Sequence, residues 1–315
     1  MIISQDTAAS VPSARDILAR GDLVAIPTET VYGLAADATN EAAVKKIYTA
    51  KGRPSHNPLI CHVASRQMAE RYVMLDDQTR QLMDHFWPGP LTFVAPIKAD
   101  QSKHAIAPSV TAGLKTLAVR CPANKTVQDI ITALDRPIAA PSANPSGKIS
   151  PTTAHHVFDG LGDKISLIID GGACTVGIES TIISVIENKI ILLRPGTIDA
   201  DSLSDISGLT VTDHDGSTIT APGQLSSHYA PDAPVILNSL SATDEESFTI
   251  GFGEKDGNIN LSPTADLSEA AHNLFDYLKQ ADKSGKRQIK VRPIPNQGIG
   301  IAINDRLTRA AAPRD

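Results

Sequence analysis

Residues 23–38 read LVAIPTETVYGLAADA. Leu23 to Ile26 is an apolar run of the length and character of a buried strand. It breaks at Pro27 into Thr28, Glu29 and Thr30, followed by Tyr32 and Gly33. A plain turn needs only one or two turn-forming residues. Three polar side chains, an aromatic and a glycine at the end of a core strand instead describe a mouth for a small polar ligand.

Outward from this stretch, helix and strand signals alternate. Upstream, ARDILARG is a short amphipathic helix stopped by Gly21. Downstream, NEAAVKKIYTAKG starts on an Asn40 cap, sets Val44, Ile47 and Tyr48 on one face and stops at Gly52. PLICHVA, LTFVAPI, LKTLAVRCP, PIAAPSAN and ISLIIDGG read as strands, and DQTRQLMDHFW, TVQDIITAL and TTAHHVFDGL as helices. STIISVIENKIILLRPG is a hairpin around Glu187-Asn188. The pattern predicts an α/β protein whose sheet is mixed rather than purely parallel.

From Ile198 to about Tyr229 the composition shifts to Ser, Thr, Asp, Gly and Pro, which is linker chemistry. Beyond it, PVILN, FTIGFG, NINLS and QIKVRPIP read as short strands and AINDRLTRAAA as a final helix. DLSEAAHNLFDYLKQAD is amphipathic, with Ala270, Leu274, Phe275 and Leu278 on one face. The expected organisation is a first domain over 1–197, a linker over 198–231 and a smaller α/β domain over 232–315.

Two domains also suit a chain of 315 residues. A formal net charge of −6 argues against a protein that coats nucleic acid, leaving room only for a local basic patch. Cys61, Cys121 and Cys174 are odd in number, widely spaced and outside any C-x-x-C, which fits a reducing compartment. The N-terminus lacks a basic segment followed by an apolar one, and no apolar run approaches the roughly 18 residues of a membrane helix. The expectation is a cytoplasmic protein without membrane association.

Several chemistries lack their motifs. There is no G-x-x-x-x-G-K-[ST], no G-x-G-x-x-G, no H-E-x-x-H and no G-x-S-x-G. His155 and His156 are adjacent on an expected helix, so their side chains diverge. Four loops carry positive signals. AKGRPSHNPL places Lys51 and Arg53 at a helix end, followed by Ser55, His56 and Asn57. Cations suit a helix C-terminus, and they also suit polyphosphate, Arg as a fork and Lys as a point charge. APSANPSG runs from an apolar strand into Ser142, Asn144, Ser146 and Gly147, either a stiff Pro/Ser turn or a donor-rich binding loop. GIESTIIS opens a strand with Glu179, Ser180 and Thr181, and LLRPG closes its partner with Arg194. SSHYAPDAP puts His228 and Tyr229 in the linker, as a packing anchor or as part of a lid. Ligands of α/β sheets bind beside strand ends. Convergence of these loops with Arg120 would give a polar pocket with a cationic side.

The same stretches carry a family resemblance. PTETVYGL, KGRPSHNPL, PSANPSG, GIESTII and LLRPG resemble the YrdC-type domain of threonylcarbamoyl-AMP synthases. APGQLSSHYAP, LSEAAHNLFDYL and PNQGIGIAINDRLTRAA resemble the linker and C-terminal domain of the two-domain form. The resemblance implies a twisted mixed-sheet YrdC-like domain with a positively charged cavity, a linker reaching over it and a Rossmann-like second domain. It implies a nucleotidyltransferase that converts L-threonine, bicarbonate or CO2, and ATP to threonylcarbamoyl-AMP and pyrophosphate, the first step of threonylcarbamoyladenosine formation in tRNA. It assigns threonine to Thr30, Tyr32, His62 and Ser142, completed by Ser180 or Thr181, with Arg120 facing a carboxylate or a phosphate. It assigns ATP to Lys51, Arg53, Asn57, Asn144, Thr152 and Arg194, with His228 or Tyr229 closing over the nucleotide. Lys51 and Arg53 stand as the catalytic charges, and Mg2+ accompanies ATP on phosphate oxygens rather than in a protein cage. The product would pass to a tRNA threonylcarbamoyltransferase complex, with direct tRNA contact weakly supported. Competing readings are an RNA-binding protein of the same fold, a carbamoyl-phosphate enzyme related to hydrogenase maturation, and a purely structural α/β protein.

Overall fold

The structure, a computed structural model, describes residues 2–100, 104–214 and 228–313. Its larger module is built on a mixed sheet. From edge to edge the strands are Ile2–Gln5, Leu167–Asp170, Val24–Ile26, Gly33–Asp37, Ile138–Ala139, Ile60–His62, Thr116–Arg120, Leu91–Pro96, Thr181–Ile186, Lys189–Arg194 and Thr210–Asp213. Parallel and antiparallel pairs interleave, as the late hairpin predicts. That hairpin turns at Glu187 and Asn188, both with positive φ (49° and 59°), the geometry of a tight two-residue connection.

Local signals account for most of the helices. Asn40 caps Glu41–Lys51 by accepting from Ala42 and Ala43 N–H, and Gly52 ends it at φ 62°. Thr153 caps Ala154–Leu161, and Asp266 caps Leu267–Lys283. The smaller module is a parallel sheet in the order Val235–Ile236, Gln288–Val291, Ser247–Gly251, Ile259–Asn260, with Leu267–Lys283 and Ile299–Ala311 supplying its buried helical faces. Among the described residues no helix is long and apolar enough to cross a membrane.

Two features depart from the sequence reading. Residues 33–37 form a fully buried strand antiparallel to Val24–Ile26. The Thr-Glu-Thr stretch is therefore the connection inside a strand pair, not only the end of one strand. Its Ala-Ala pair carries no alternation, because a strand covered on both faces has none to show. The expected linker also begins too early. Ala200–Ser207 is a helix capped by Asp199, and Thr210–Asp213 pairs in parallel with Lys189–Arg194 at the sheet edge. An edge strand can remain polar because its outer side faces water, so Thr-Val-Thr-Asp resembled a linker. Residues 215–227 of the expected linker lie outside the described residues.

The modules share a core. Val31, Ile149 and Ile178 of the larger one pack in the same buried cluster as Tyr229, Phe275, Leu278 and Ile303. Gly177 lies against the helix Leu267–Lys283. A Cβ there would come within 2.4 Å of His272 O, and φ is 83°, so only glycine allows this approach. The mouth that opens with Thr28–Thr30 thus lies where the two modules meet.

Candidate active site

Loops and strand ends from both halves of the larger sheet converge on one cleft, lined by Thr28, Thr30, Arg53, His62, Arg120, Ser142, Glu179, Ser180, Arg194, His228 and Tyr229 beside Val31, Ile60 and Ala140. It holds about 560 Å3 of unfilled space counted to its mouth.

The cleft has two ends. At one, Thr28 Oγ1 anchors the turn by donating to Val31 O (2.6 Å) while accepting from Thr30 N–H (3.2 Å). Arg120 donates from Nη1 to Thr30 Oγ1 (2.9 Å) and from Nε to Gly89 O (3.2 Å). Its Nη2 lies 2.7 Å from Glu29 Oε1, an ion pair without hydrogen-bond alignment, so both atoms keep bonding capacity. His62 comes from the end of its strand, and its Nδ1 has no partner among the described residues. Burial, with Arg120 nearby, pulls its imidazole down to about 3, so at neutral pH it is an uncharged donor-acceptor.

The other end is cationic. Arg53 donates to Asn57 O and Pro58 O from Nε and Nη2, and among the described residues its Nη1 has no partner. Burial lowers Arg53 to about 10, which still leaves it charged at neutral pH. Arg194 grips Ser180 O through Nε and Nη2 (3.1 and 3.0 Å), and among the described residues its Nη1 too has no partner. His228 and Tyr229 close this end with ring centroids 4.0 Å apart. His228 Nδ1 and Tyr229 Oη are buried without partners among the described residues. Burial drives His228 down to about 3 and Tyr229 up to about 12, so both are neutral.

Glu179 stands on the same wall. Ser150 donates to its Oε1 (2.6 Å), and Arg306 Nε to its Oε2 (3.1 Å). Burial favours the protonated acid, but Arg306, Arg194 and Ser150 outweigh it and hold Glu179 below the usual carboxylate range.

Six residues that the sequence nominates do not line the cleft. Tyr32 is fully buried, and its hydroxyl bridges Gly171 N–H and Gly172 O. Thr181 Oγ1 is tied to Ile198 in both directions. Of the adjacent pair, Ser180 faces the cleft and Thr181 does not: Ser180 ends the loop, whereas Thr181 opens the strand and its hydroxyl is spent on Ile198. Thr152 contacts His156 Nδ1. Asn57 and Asn144 lie behind Arg53 and Ser142, each with a buried Oδ1 that has no partner among the described residues. Lys51 is buried and clips the 142–144 loop, donating to Ser142 O and Asn144 O (both 2.5 Å). Burial lowers its ammonium well below the ordinary lysine value. Lys51→Met is expected to cost about 2 kcal/mol of stability by removing a charged donor from two buried carbonyls, read by urea unfolding.

Sequence reasoning named Glu179 among the polar residues of GIESTIIS without giving it a role, and missed Arg306 as a site group. Arg306 did leave a signal: with Ala302, Ile303, Leu307 and Ala310 it falls on the buried face of its helix, where a charge needs a partner.

The two buried neutral histidines give a pH prediction. Their unfolded forms take up protons near 6.5, while the folded forms resist until about 3. The unfolded state therefore binds more protons in that window, and stability is full above it and falls as pH drops through it. Urea unfolding at pH 7 and pH 5 should differ by about 2 kcal/mol for each histidine, and His62→Phe should remove one share.

A mixed α/β sheet with a polar cleft, cationic at one end and roofed by a smaller parallel-sheet module, defines a YrdC-type domain fused to a Rossmann-like one. Comparison with known proteins agrees. Residues 16–196 match the Sua5/YciO/YrdC family model, described as telomere recombination, and 186–312 match the C-terminal domain of threonylcarbamoyl-AMP synthase. The chain belongs to the two-domain Sua5 family of threonylcarbamoyl-AMP synthases. The threonylcarbamoyl-AMP synthase of Pyrococcus abyssi is 40% identical over 96% of this chain and 94% of its own length. That of Bacillus subtilis is 37% identical over 96% and 93%. The crystal structure of P. abyssi Sua5 complexed with L-threonine superposes with a TM-score of 0.87 at 36% identity, covering 99% of this chain and 98% of that one. Escherichia coli YciO, at 19% identity, a TM-score of 0.55 and coverage of 64% of this chain and 96% of its own, shares the fold of the larger module.

Proposed function

We propose that this chain is a threonylcarbamoyl-AMP synthase of the nucleotidyltransferase class, taking L-threonine, bicarbonate or CO2, and ATP, and releasing pyrophosphate. The observation that carries the reading is the polarity of the cleft: a neutral hydrogen-bonding end at Thr30, His62 and Ser142, and a cationic end at Arg53 and Arg194.

Threonine binds at the neutral end. Its hydroxyl, ammonium and carboxylate meet Thr30, His62, Ser142 and Ser180, with Arg120 holding the Thr30 turn and offering Nη2 to the carboxylate. ATP binds at the cationic end, its phosphates against the Nη1 donors of Arg53 and Arg194. Asn57 and Asn144 back this end from behind Arg53 and Ser142, and His228 and Tyr229 cover the nucleotide. Thr152 supports this wall from behind. Tyr32 and Thr181 hold backbone around the site rather than substrate. Lys51 acts by fixing the Ser142 loop.

Among the described residues no cluster of three His, Cys, Asp or Glu side chains offers a metal cage. Glu179, the carboxylate on the nucleotide wall, is already engaged by Ser150 and Arg306. In this reading Mg2+ would come with ATP as part of the substrate.

The deprotonated threonine amine attacks the carbon of CO2 to give a carbamate. A carbamate oxygen then attacks the α-phosphorus, the bond to the bridging oxygen breaks, and pyrophosphate leaves with the electron pair. No side chain among the described cleft residues has the paired geometry of a general base with an orienting partner. Catalysis rests on placing the two substrates in one cleft and offsetting phosphate charge with Arg53 and Arg194. The product is a mixed anhydride suited to threonylcarbamoyl transfer onto tRNA by a separate enzyme.

The deciding experiment is pyrophosphate release from Mg-ATP with threonine and bicarbonate omitted in turn. Release should require both. Release indifferent to threonine, or RNA binding without turnover, would overturn the reading.

A further inference from the structure

The last helix of the smaller module, Ile299–Ala311, touches the cleft at three places while lining none of it. Arg306 is fully buried and donates from Nε to Glu179 Oε2 (3.1 Å) and from Nη2 to Glu179 O (3.3 Å). Its Nη1 donates to Pro195 O, one residue beyond Arg194. The Arg306 guanidinium carbon lies 5.9 Å from the centre of the Tyr229 ring, in cation–π range. One turn on, Arg309 O accepts from His228 N–H (3.2 Å). A single helix thus sets the wall carboxylate, the backbone that carries Arg194 and the two residues that cover the cationic end. His228 at the cationic end feels the charges of Glu179, Arg53 and Arg194, and His62 at the neutral end feels that of Arg120.

We propose that Arg306 is a positioning residue for the nucleotide end of the cleft, acting through Glu179, Pro195 and Tyr229, so that the second module completes the ATP site without touching ATP. The inference rests on the assignment of ATP to the cationic end.

A buried arginine could instead serve stability alone, since removing one member of a buried ion pair strands the other. The two roles separate by which ligand feels the change. Arg306→Lys keeps the charge but loses the fork that reaches Glu179, Pro195 and Tyr229 together. In the full-length protein, calorimetric titration with Mg-ATP should show affinity falling about tenfold or more, one charge-assisted hydrogen bond being worth that much, while threonine affinity stays within about twofold. Arg306→Met strands the Glu179 charge and risks unfolding, so its partner is removed as well. Glu179→Gln with Arg306→Met removes both members of the buried pair, and this variant should melt above Arg306→Met alone and still bind Mg-ATP about tenfold more weakly. Unchanged Mg-ATP affinity, or parallel losses for ATP and threonine, would overturn the inference. A wild-type protein that binds Mg-ATP but releases pyrophosphate without threonine would overturn the proposed function and leave this titration to judge Arg306 on nucleotide binding. A wild type that binds no nucleotide overturns both.

Discussion

Valine in place of threonine is expected to lower kcat/KM by about 10⁴-fold, against about 10- to 200-fold for serine. Valine has the shape of threonine with a methyl where the hydroxyl stands. At the neutral end of the cleft that methyl would face His62, whose Nδ1 has no partner among the described residues, and the Thr30 and Ser142 hydroxyls. Buried polar groups that lose their partner cost their full desolvation. Serine keeps the hydroxyl and gives up only the contact of one methyl with the apolar lining at Ile60 and Ala140. The measurement is pyrophosphate release with each amino acid as the varied substrate. His62→Phe keeps the ring and removes its nitrogens, so it should narrow the threonine-to-valine ratio. Comparable turnover with valine would sink the assignment of this end to threonine.

Arg53→Ala should lose about 2–4 kcal/mol of transition-state stabilisation, the worth of one well-placed donor at developing charge. In kcat/KM that is about 30- to 1000-fold. Among the described residues two backbone hydrogen bonds go with the side chain, to Asn57 O and Pro58 O, so the fold should survive with a small shift in melting temperature. Arg194→Ala makes a poorer probe. Its guanidinium holds Ser180 O twice in a buried site, and its removal mixes lost chemistry with lost structure. A near-wild-type rate for Arg53→Ala would remove it from the catalytic set.

Val31, in the middle of the opening stretch, packs into the core of the smaller module. The Thr-Glu-Thr turn is therefore shaped from two sides, by Arg120 of the larger module and by the hydrophobic seam between modules. Truncation after the larger module would expose Val31, Ile149 and Ile178 and release Glu179 from Arg306.

The sequence by itself determined the local elements and the chemistry on offer. Caps at Asn40 and Asp266, the stop at Gly52 and the Glu187-Asn188 turn are short-range signals, and the structure places each where its neighbours in the chain imply. The strand-end clusters of Ser, Thr, Asn and Arg announced a polar cleft, and Thr30, Arg53, His62, Arg120, Ser142, Ser180, Arg194, His228 and Tyr229 all line it. Tertiary structure alone decided which member of each cluster faces inward. Ser180 and Thr181 are equal in the sequence, and only the contact of Thr181 with Ile198 turns one of them away from the cleft. Lys51 and Arg53 both read as phosphate cations, yet only Arg53 reaches the cleft while Lys51 is spent on loop carbonyls 91 and 93 residues away. The buried strand 33–37 had no alternation to betray it, and the edge strand 210–213 was as polar as a linker. Glu179 and Arg306 stand 127 residues apart, and no local pattern encodes that pairing. What periodicity records is which side of an element avoids water; which partner meets it there depends on how the whole chain closes.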